Sequence, residues 1–167
     1  MDLGDKQIAK EIRNAIKTGN IETVIRSIKG SKERLDMMTP FGTWLHVAAS
    51  FGNLGVIKFL VDEGIDIDRR GGVFNGAAIK EAASEGHLGI VEYLLSQGAE
   101  LDLTEPERNP LFGAIHGGHT SVAKLLIDRG INTDVKYSGD VMKEMDALQF
   151  ARQWGRSEIV ELLNASR

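Results

Sequence analysis

A glycine occurs at nearly regular intervals along the chain, and the residues that follow it are similar in each copy. The five copies are Gly19, Gly52, Gly86, Gly118 and Gly155. They are separated by 33, 34, 32 and 37 residues, and a stretch of helix-like apolar spacing follows each one. Three units carry a second glycine twelve residues later, at Gly64, Gly98 and Gly130. Repetition at a period near ~33 residues is typical of stacked helical repeats, which offer a long ridged surface and no enclosed pocket.

Each unit reads as two helices joined by a tight turn. In the second helices apolar residues recur at spacings of three and four, which places them on one buried face. These residues are Val56, Ile57, Leu60, Ile90, Val91, Leu94, Val122, Leu125, Leu126, Ile159, Val160 and Leu163. The first helices carry small residues such as Ala48, Ala82 and Ala114, which let neighbouring helices approach closely. The second glycines stand where a helix ends in a left-handed cap.

The segment from Gly42 to Asn53 resembles the opening of an ankyrin repeat. Its run Thr43-Trp44-Leu45-His46-Val47-Ala48-Ala49 is similar to the Thr-Pro-Leu-His-x-Ala-Ala segment of that family. The resemblance implies an all-α fold, an ankyrin-repeat solenoid of about five helix-turn-helix repeats with capping terminal repeats. It implies a single ankyrin repeat domain over residues 1–167, with approximate repeats 4–36, 37–70, 71–104, 105–136 and 137–167.

The chain also departs from the family pattern. The family's histidine, which hydrogen-bonds one loop to the next, is kept at His46, whereas Lys80, Phe112 and Gln149 stand at the equivalent positions. We therefore expect a different loop network after residue 70. The first repeat lacks the opening motif and has a polar face, which predicts a cap. The polar residues are Lys6, Lys10, Arg13 and Lys17.

The composition predicts a soluble protein of the cytoplasm. Hydrophobic residues make up 42% of the chain and charged residues 26%, and no stretch has the ~18 apolar residues of a membrane span. The first six residues are too charged for a signal peptide, so we do not expect export by that route. The absence of cysteine excludes disulfides and thiolate metal sites. A net charge of -4 argues against nucleic-acid and membrane partners.

The charge is unevenly distributed. Residues 1–36 carry eight Lys or Arg and six Asp or Glu, whereas residues 37–167 carry twelve and eighteen. One interpretation is a solvated helix face at one end of the stack. The other is an acidic surface that steers the chain toward a basic partner.

Catalytic and metal sites are not expected, and neither are cofactors. His87 and His119 follow the turn glycine, where ankyrin repeats carry a structural histidine, and His46 belongs to the opening motif. His116 alone has no structural assignment, and one histidine is not a ligand set. Stacked repeats also do not bring a nucleophile, a base and an orienting group into one cleft. We therefore predict a protein that is not an enzyme.

The resemblance implies that partners bind the concave face formed by the hairpin loops and the first helices. Aromatic and arginine residues are the usual anchors of such interfaces. The candidate protein-binding residues are Trp44, Phe51, Arg69, Arg70, Phe74, Glu85, Arg108, His116, Tyr137, Met142, Met145 and Trp154. For Trp44, Phe51 and Trp154 the alternative is that the ring packs on the neighbouring repeat.

The segment from Val135 to Met145 makes the last hairpin region longer than those before it. Gly130 and Gly155 are 25 residues apart, against 22 and 20 for the preceding pairs. This loop either contacts a partner through Tyr137, Met142 and Met145 or folds over the last repeat.

These features favour a non-catalytic protein-binding module that is a monomer. The chain is similar to bacterial ankyrin proteins, many of which look like immunity proteins that occlude a secreted toxin. An acidic rim would suit a nuclease toxin, whose own groove must be basic. The alternatives are a cytoplasmic scaffold or regulator that binds a housekeeping or host protein, and an enzyme or ligand-binding protein built on the same fold.

Overall fold

The computed structural model describes residues 3–139 and 142–166. The chain forms two compact units, Met1–Ala78 and Ile79–Arg167. Within the described residues the secondary structure consists of helices and a few isolated β-bridges, so the predicted all-α repeat fold is confirmed. In that part of the chain no helix is long and apolar enough to cross a membrane.

The first unit contains two helix pairs and one short helix. Its helices are α1 (Leu3–Lys17), α2 (Ile21–Ile28), α3 (Lys32–Leu35), α4 (Trp44–Ser50) and α5 (Leu54–Asp62). Helix α1 packs on α2 and α4, and α4 packs on α5. The core between them is apolar and fully buried at Ile12, Ile16, Leu45, Ile57 and Leu60.

The second unit contains three helix pairs. They are α6 (Ala78–Ser84) with α7 (Leu88–Ser96), α8 (Pro110–Gly117) with α9 (Thr120–Asp128), and α10 (Ala147–Gln153) with α11 (Ser157–Ala165); α6 begins at the last residue of the first unit. Helix α8 packs on α10, and α9 packs on both α7 and α11. Each pair buries its apolar face against the next, which is the arrangement that repeats require for stability.

The recurring glycines stand in the turns between paired helices. Gly86, between α6 and α7, has a φ of +77°, a left-handed conformation that favours glycine. Space is a second constraint, because a Cβ at Gly86 would overlap the His119 ring. His119 Nε2 lies 2.9 Å from the carbonyl oxygen of Ser84, so this histidine joins two neighbouring repeats. The short helix α3 follows the first helix pair.

His46 makes the loop contacts that the family resemblance implies. Its Nδ1 accepts a hydrogen bond from the backbone N–H of Thr43, at 3.2 Å. Its Nε2 must then carry the proton and donates to the carbonyl oxygen of Gly76, at 2.9 Å. The imidazole therefore connects the start of α4 to the hairpin bridged by Gly71 and Gly76.

The positions that lack this histidine are held in other ways. Lys80 is buried, and its Nζ lies 3.8 Å from a carboxylate oxygen of Glu81. Gln149 caps α10 together with Asp146: Asp146 Oδ1 accepts from the Gln149 N–H at 2.8 Å, and Gln149 Oε1 accepts from the Asp146 N–H at 3.0 Å. The local network in the second unit thus differs from that of the first, as expected.

Candidate functional site

Six large apolar side chains are exposed in the part of the chain that the structure describes. They are Met38, Phe41, Phe51, Val73, Phe74 and Trp154. Five lie in the first unit and one in the second. Exposed aromatic residues that cluster mark interaction surfaces more often than scattered ones do.

Four of these residues form an apolar surface at two adjacent hairpin tips of the first unit, which we call the hairpin patch. Its members are Met38, Phe41, Val73 and Phe74. The tips are held together by glycines: the backbone nitrogen of Gly72 lies 2.9 Å from the position that a Cβ of Gly42 would occupy. Met38 Sδ lies against Gly71 in the same way, at 3.2 Å from the Cβ position. No larger residue would allow this approach, so the glycines bring the apolar side chains together.

Phe41 is half exposed, at 50%, and it is a candidate that the sequence analysis missed. The guanidinium carbon of Arg13 lies 4.1 Å from the centre of its ring, which is a cation–π contact. A signal was present in the sequence. The turn residues Pro40 and Phe41 occupy the tip of a tight hairpin between Thr39 and Gly42, where a side chain cannot point into a core.

The two predicted arginines beside the patch differ in environment. Arg69 is half-buried, and its Nη1 donates to the carbonyl oxygen of Asp36 at 3.0 Å. Arg70 is exposed. Arg69 therefore braces the segment that leads to the hairpin patch.

Trp44 is not a surface residue, and the prediction that it binds a partner is wrong. Its side chain is 0% exposed, and its Nε1 donates to the carbonyl oxygen of Arg34 at 2.7 Å. Trp44 is the first residue of α4, and this hydrogen bond joins its indole to the short helix α3. Phe51, at the other end of α4, is 38% exposed.

In the second unit five rings form a continuous series, which we call the aromatic row. Tyr137 meets Phe112 edge-on at 4.9 Å, and Phe112 stacks on Phe150 at 4.5 Å. Phe150 lies 6.0 Å from Trp154, whose ring meets the His116 ring at 4.4 Å. Phe112 and Phe150 are buried, whereas His116 and Trp154 are exposed, the latter by 44%. The exposed end is thus supported by a rigid aromatic core.

Tyr137 is the buried end of this row, which corrects its assignment as a contact residue. It is 7% exposed, its hydroxyl donates to the carbonyl oxygen of Leu103 at 2.9 Å, and Asn109 Nδ2 donates to it at 3.0 Å. Burial raises the pKa of Tyr137 above its usual value of 10.0, while the bond from Asn109 lowers it. Tyr137 anchors the long loop to the preceding repeat.

The described part of the long loop is bridged between Tyr137 and Met145. Tyr137 and Met145 exchange backbone hydrogen bonds of 3.0 Å in both directions. Met142 and Met145 are half-buried. Asp140 and Val141, which belong to the predicted contact loop, lie outside the part that the structure describes.

Glu85 and Arg108 complete the predicted set. Glu85 is exposed at the end of α6, next to Ser84, whose carbonyl oxygen accepts from His119. Arg108 is half-buried, and its Nη1 donates to Thr104 Oγ1 at 3.3 Å. In the described residues no group of three His, Cys, Asp or Glu side chains could hold a metal ion, and His116 contacts Trp154 instead.

The two units differ in charge. The first 78 residues carry eleven Lys or Arg and ten Asp or Glu, a balance of +1 (11 minus 10). The remaining 89 carry nine and fourteen, a balance of -5 (9 minus 14). The acidic character of the chain therefore belongs to the unit that exposes Trp154 and His116.

A comparison with protein families gives a match over most of the chain. The family model described as "Ankyrin repeats (3 copies)" matches residues 12–105 and 79–166. No curated protein matches the chain.

Proposed function

The chain belongs to the ankyrin-repeat family, whose repeats indicate a protein–protein interaction module, and from this premise we propose that it is a bacterial immunity protein. It binds a cognate secreted toxin in the cytoplasm, as a monomer, and covers the toxin's active site or substrate groove. The chain contributes no catalysis and no cofactor. Inhibition results from occlusion, through the first helices and hairpin loops of its repeats.

The observation that carries this proposal is an exposed aromatic anchor in an acidic unit. Trp154 is 44% exposed, and its ring contacts the rings of His116 and Phe150. A side chain that is already ordered loses little conformational entropy when a partner covers it. Tryptophan is also among the residues that contribute most to binding when they are fully desolvated.

The charge of the second unit favours a basic partner. Its balance of -5 gives long-range attraction to a surface rich in lysine and arginine, and this attraction raises the association rate. A nuclease toxin has such a surface, because its groove must neutralise phosphates. Glu85 is exposed at the end of α6 and belongs to the same unit. We therefore expect the second unit to face the groove, with Trp154 as its apolar anchor.

The test begins with capture of the tagged chain from its native lysate and identification of the captured proteins by mass. The purified partner is then assayed for its own enzymatic activity with and without a saturating amount of the chain. The proposal requires that the activity is lost on binding. A captured partner that keeps full activity in the complex, or that is a housekeeping or host protein, would instead favour the scaffold or regulator.

Two variants test the role of the exposed anchor. Trp154→Ala should weaken partner binding by about thirtyfold, which corresponds to a hot-spot contribution of ~2 kcal/mol. Gln97→Ala is the matched control, because Gln97 is an exposed, uncharged residue at the end of α7 in the same unit. Equal affinities for both variants, with helicity unchanged, would exclude Trp154 as the anchor.

A further inference from the structure

Helix α1 carries four cations on one face, which we call the basic stripe. They are Lys6, Lys10, Arg13 and Lys17. Their spacings of four, three and four residues place them above one another on a helix, with neighbouring Cβ atoms about 5–6 Å apart. The three lysines are exposed and Arg13 is half-buried. Like charges at these spacings destabilise an isolated helix, so the stripe gains from an external counter-charge.

The acidic residues of α1 lie off the face that carries this stripe. Asp5 and Glu11 are turned away from the members of the stripe by roughly 80° or more, at about 100° per residue. Glu11 instead pairs with Arg26 of α2, with 3.9 Å between Glu11 Oε1 and Arg26 Nη2. Another ion pair of the same unit joins Lys32 to Asp36, and neither pair includes a residue of the stripe.

Arg13 is the ordered centre of the stripe. Its guanidinium lies over the Phe41 ring at 4.1 Å, which restrains the plane of the group. Its Nε is buried and has no hydrogen-bond partner among the described residues. The Nη groups are therefore the donors that an incoming anion would meet. A planar guanidinium held in this way suits the two oxygens of a carboxylate.

We propose that the basic stripe and Phe41 form a docking site for an acidic segment of a partner protein. A carboxylate of that segment pairs with Arg13, further carboxylates lie along Lys10 and Lys17, and an apolar side chain covers the exposed part of Phe41. The first unit is the one with a positive balance, so charge complementarity selects an acidic occupant. The site belongs to the first unit, whereas Trp154 belongs to the second, and the proposal does not depend on the partner being a toxin.

A nucleic acid fits these observations less well. The chain as a whole has a net charge of -4, and the remaining unit, at -5, would repel a phosphate backbone. Four cations are few for a surface that binds through phosphates. The exposed apolar residues Met38 and Phe41 belong to the hairpin patch, which Arg13 contacts through Phe41. An apolar side chain of a partner protein would cover that surface.

The experiment is calorimetric titration of the full chain with a short peptide of alternating glutamate and leucine. The control peptide has glutamine in place of every glutamate. We expect the acidic peptide to bind, its affinity to fall as salt is raised, and the glutamine peptide to bind at least about tenfold more weakly. Equal binding of both peptides, or no binding of either at low salt, would refute the site.

Variants locate the binding on the stripe. Arg13→Ala should lower the affinity for the acidic peptide by about tenfold, as expected for the loss of a charge-assisted hydrogen bond. Lys29→Ala removes an exposed cation outside the stripe and should change the affinity for the acidic peptide by less than about twofold. Arg13→Lys keeps the charge and tests the planar group if Arg13→Ala melts early, and it should give an intermediate loss.

Two further outcomes separate this site from the alternatives. Trp154→Ala should leave peptide binding unchanged, so a failure of the proposed toxin interaction does not affect this result. A short DNA duplex should not displace the peptide. If the duplex displaces the peptide at a lower concentration than unlabelled acidic peptide needs, the assignment to a protein segment is overturned. An equal loss of peptide affinity in Lys29→Ala and Arg13→Ala would overturn it as well.

Discussion

Replacement of Tyr137 by phenylalanine tests whether its hydroxyl holds the long loop to the preceding repeat. Tyr137→Phe keeps the ring and its edge contact with Phe112 but removes one oxygen. That oxygen accepts from Asn109 Nδ2 at 3.0 Å and donates to the Leu103 carbonyl at 2.9 Å. Asn109 is 1% exposed, so water cannot replace the lost partner without a rearrangement.

The expected cost follows from the group that is left unsatisfied. A buried donor without a partner costs about 1–3 kcal/mol, and the Leu103 carbonyl is only partly buried and can be hydrated. We therefore expect Tyr137→Phe to lower the free energy of unfolding by about 2 kcal/mol. For a chain of this size the melting temperature would fall by about 4–8 °C.

Urea denaturation followed by circular dichroism measures this change, with the slope against urea expected to stay constant. Asn109→Ala provides a double-mutant cycle, because it removes the other partner. In that background Tyr137→Phe should cost at least about 1 kcal/mol less. A cost below about 0.5 kcal/mol in the natural background would refute the anchoring role, as would strict additivity of the two substitutions.

The pH dependence of stability offers an independent check on the same residue. Burial raises the pKa of Tyr137 above 10.0, so the fold favours the neutral phenol. The corresponding stability is fully present below the unfolded value near pH 10 and is lost as the pH rises through the folded pKa. Tyr137→Phe should lack this alkaline loss. The chain has two tyrosines, so a Tyr93→Phe variant isolates the phenol titration of Tyr137.

Two further predictions concern stability, and urea denaturation measures both. Gly86→Ala should cost at least about 2 kcal/mol more than Gly98→Ala: both glycines have positive φ, but a Cβ at Gly98 meets nothing within 4 Å, whereas one at Gly86 overlaps His119. Equal costs would show that His119 moves away freely. Trp44→Phe should cost about 2–4 kcal/mol, because it leaves a cavity and the Arg34 carbonyl loses its donor; a cost under 1 kcal/mol would contradict the fully packed position.

The repeat organisation could be predicted because its signals are local. Glycines such as Gly52 and Gly118 have a positive φ, which glycine tolerates without steric cost, and the apolar spacing of the following helix needs no tertiary information. The short helix α3 carries no such periodic signal in its four residues. Its capping serine, Ser31, accepts from the Arg34 N–H, a signal that is easily overlooked in so short a segment.

The candidate site was less accessible from sequence, because the exposure of an aromatic residue depends on other elements. Trp44 is buried and bonds to Arg34 of α3, a helix that was not expected, whereas Trp154 is exposed at the end of α10. Tyr137 looked like a loop residue, yet two partners more than 25 positions away bury it. Phe41 lies in a turn that the sequence signals, but its contact with Arg13 joins two separate elements and could be known only from the structure. The roles of the remaining candidates as binding residues stay predictions.

Because the two tryptophans differ in exposure, intrinsic tryptophan fluorescence can report on the two units separately. Trp44, in the first unit, is fully buried with its Nε1 on a carbonyl, so its emission should be blue-shifted and resist quenching by acrylamide. Trp154, in the second unit, is exposed and should emit at longer wavelength with easy quenching. Each compact unit thus contains one indole with a distinct spectrum. Loss of structure in either unit should be visible separately in a single emission scan, without any label.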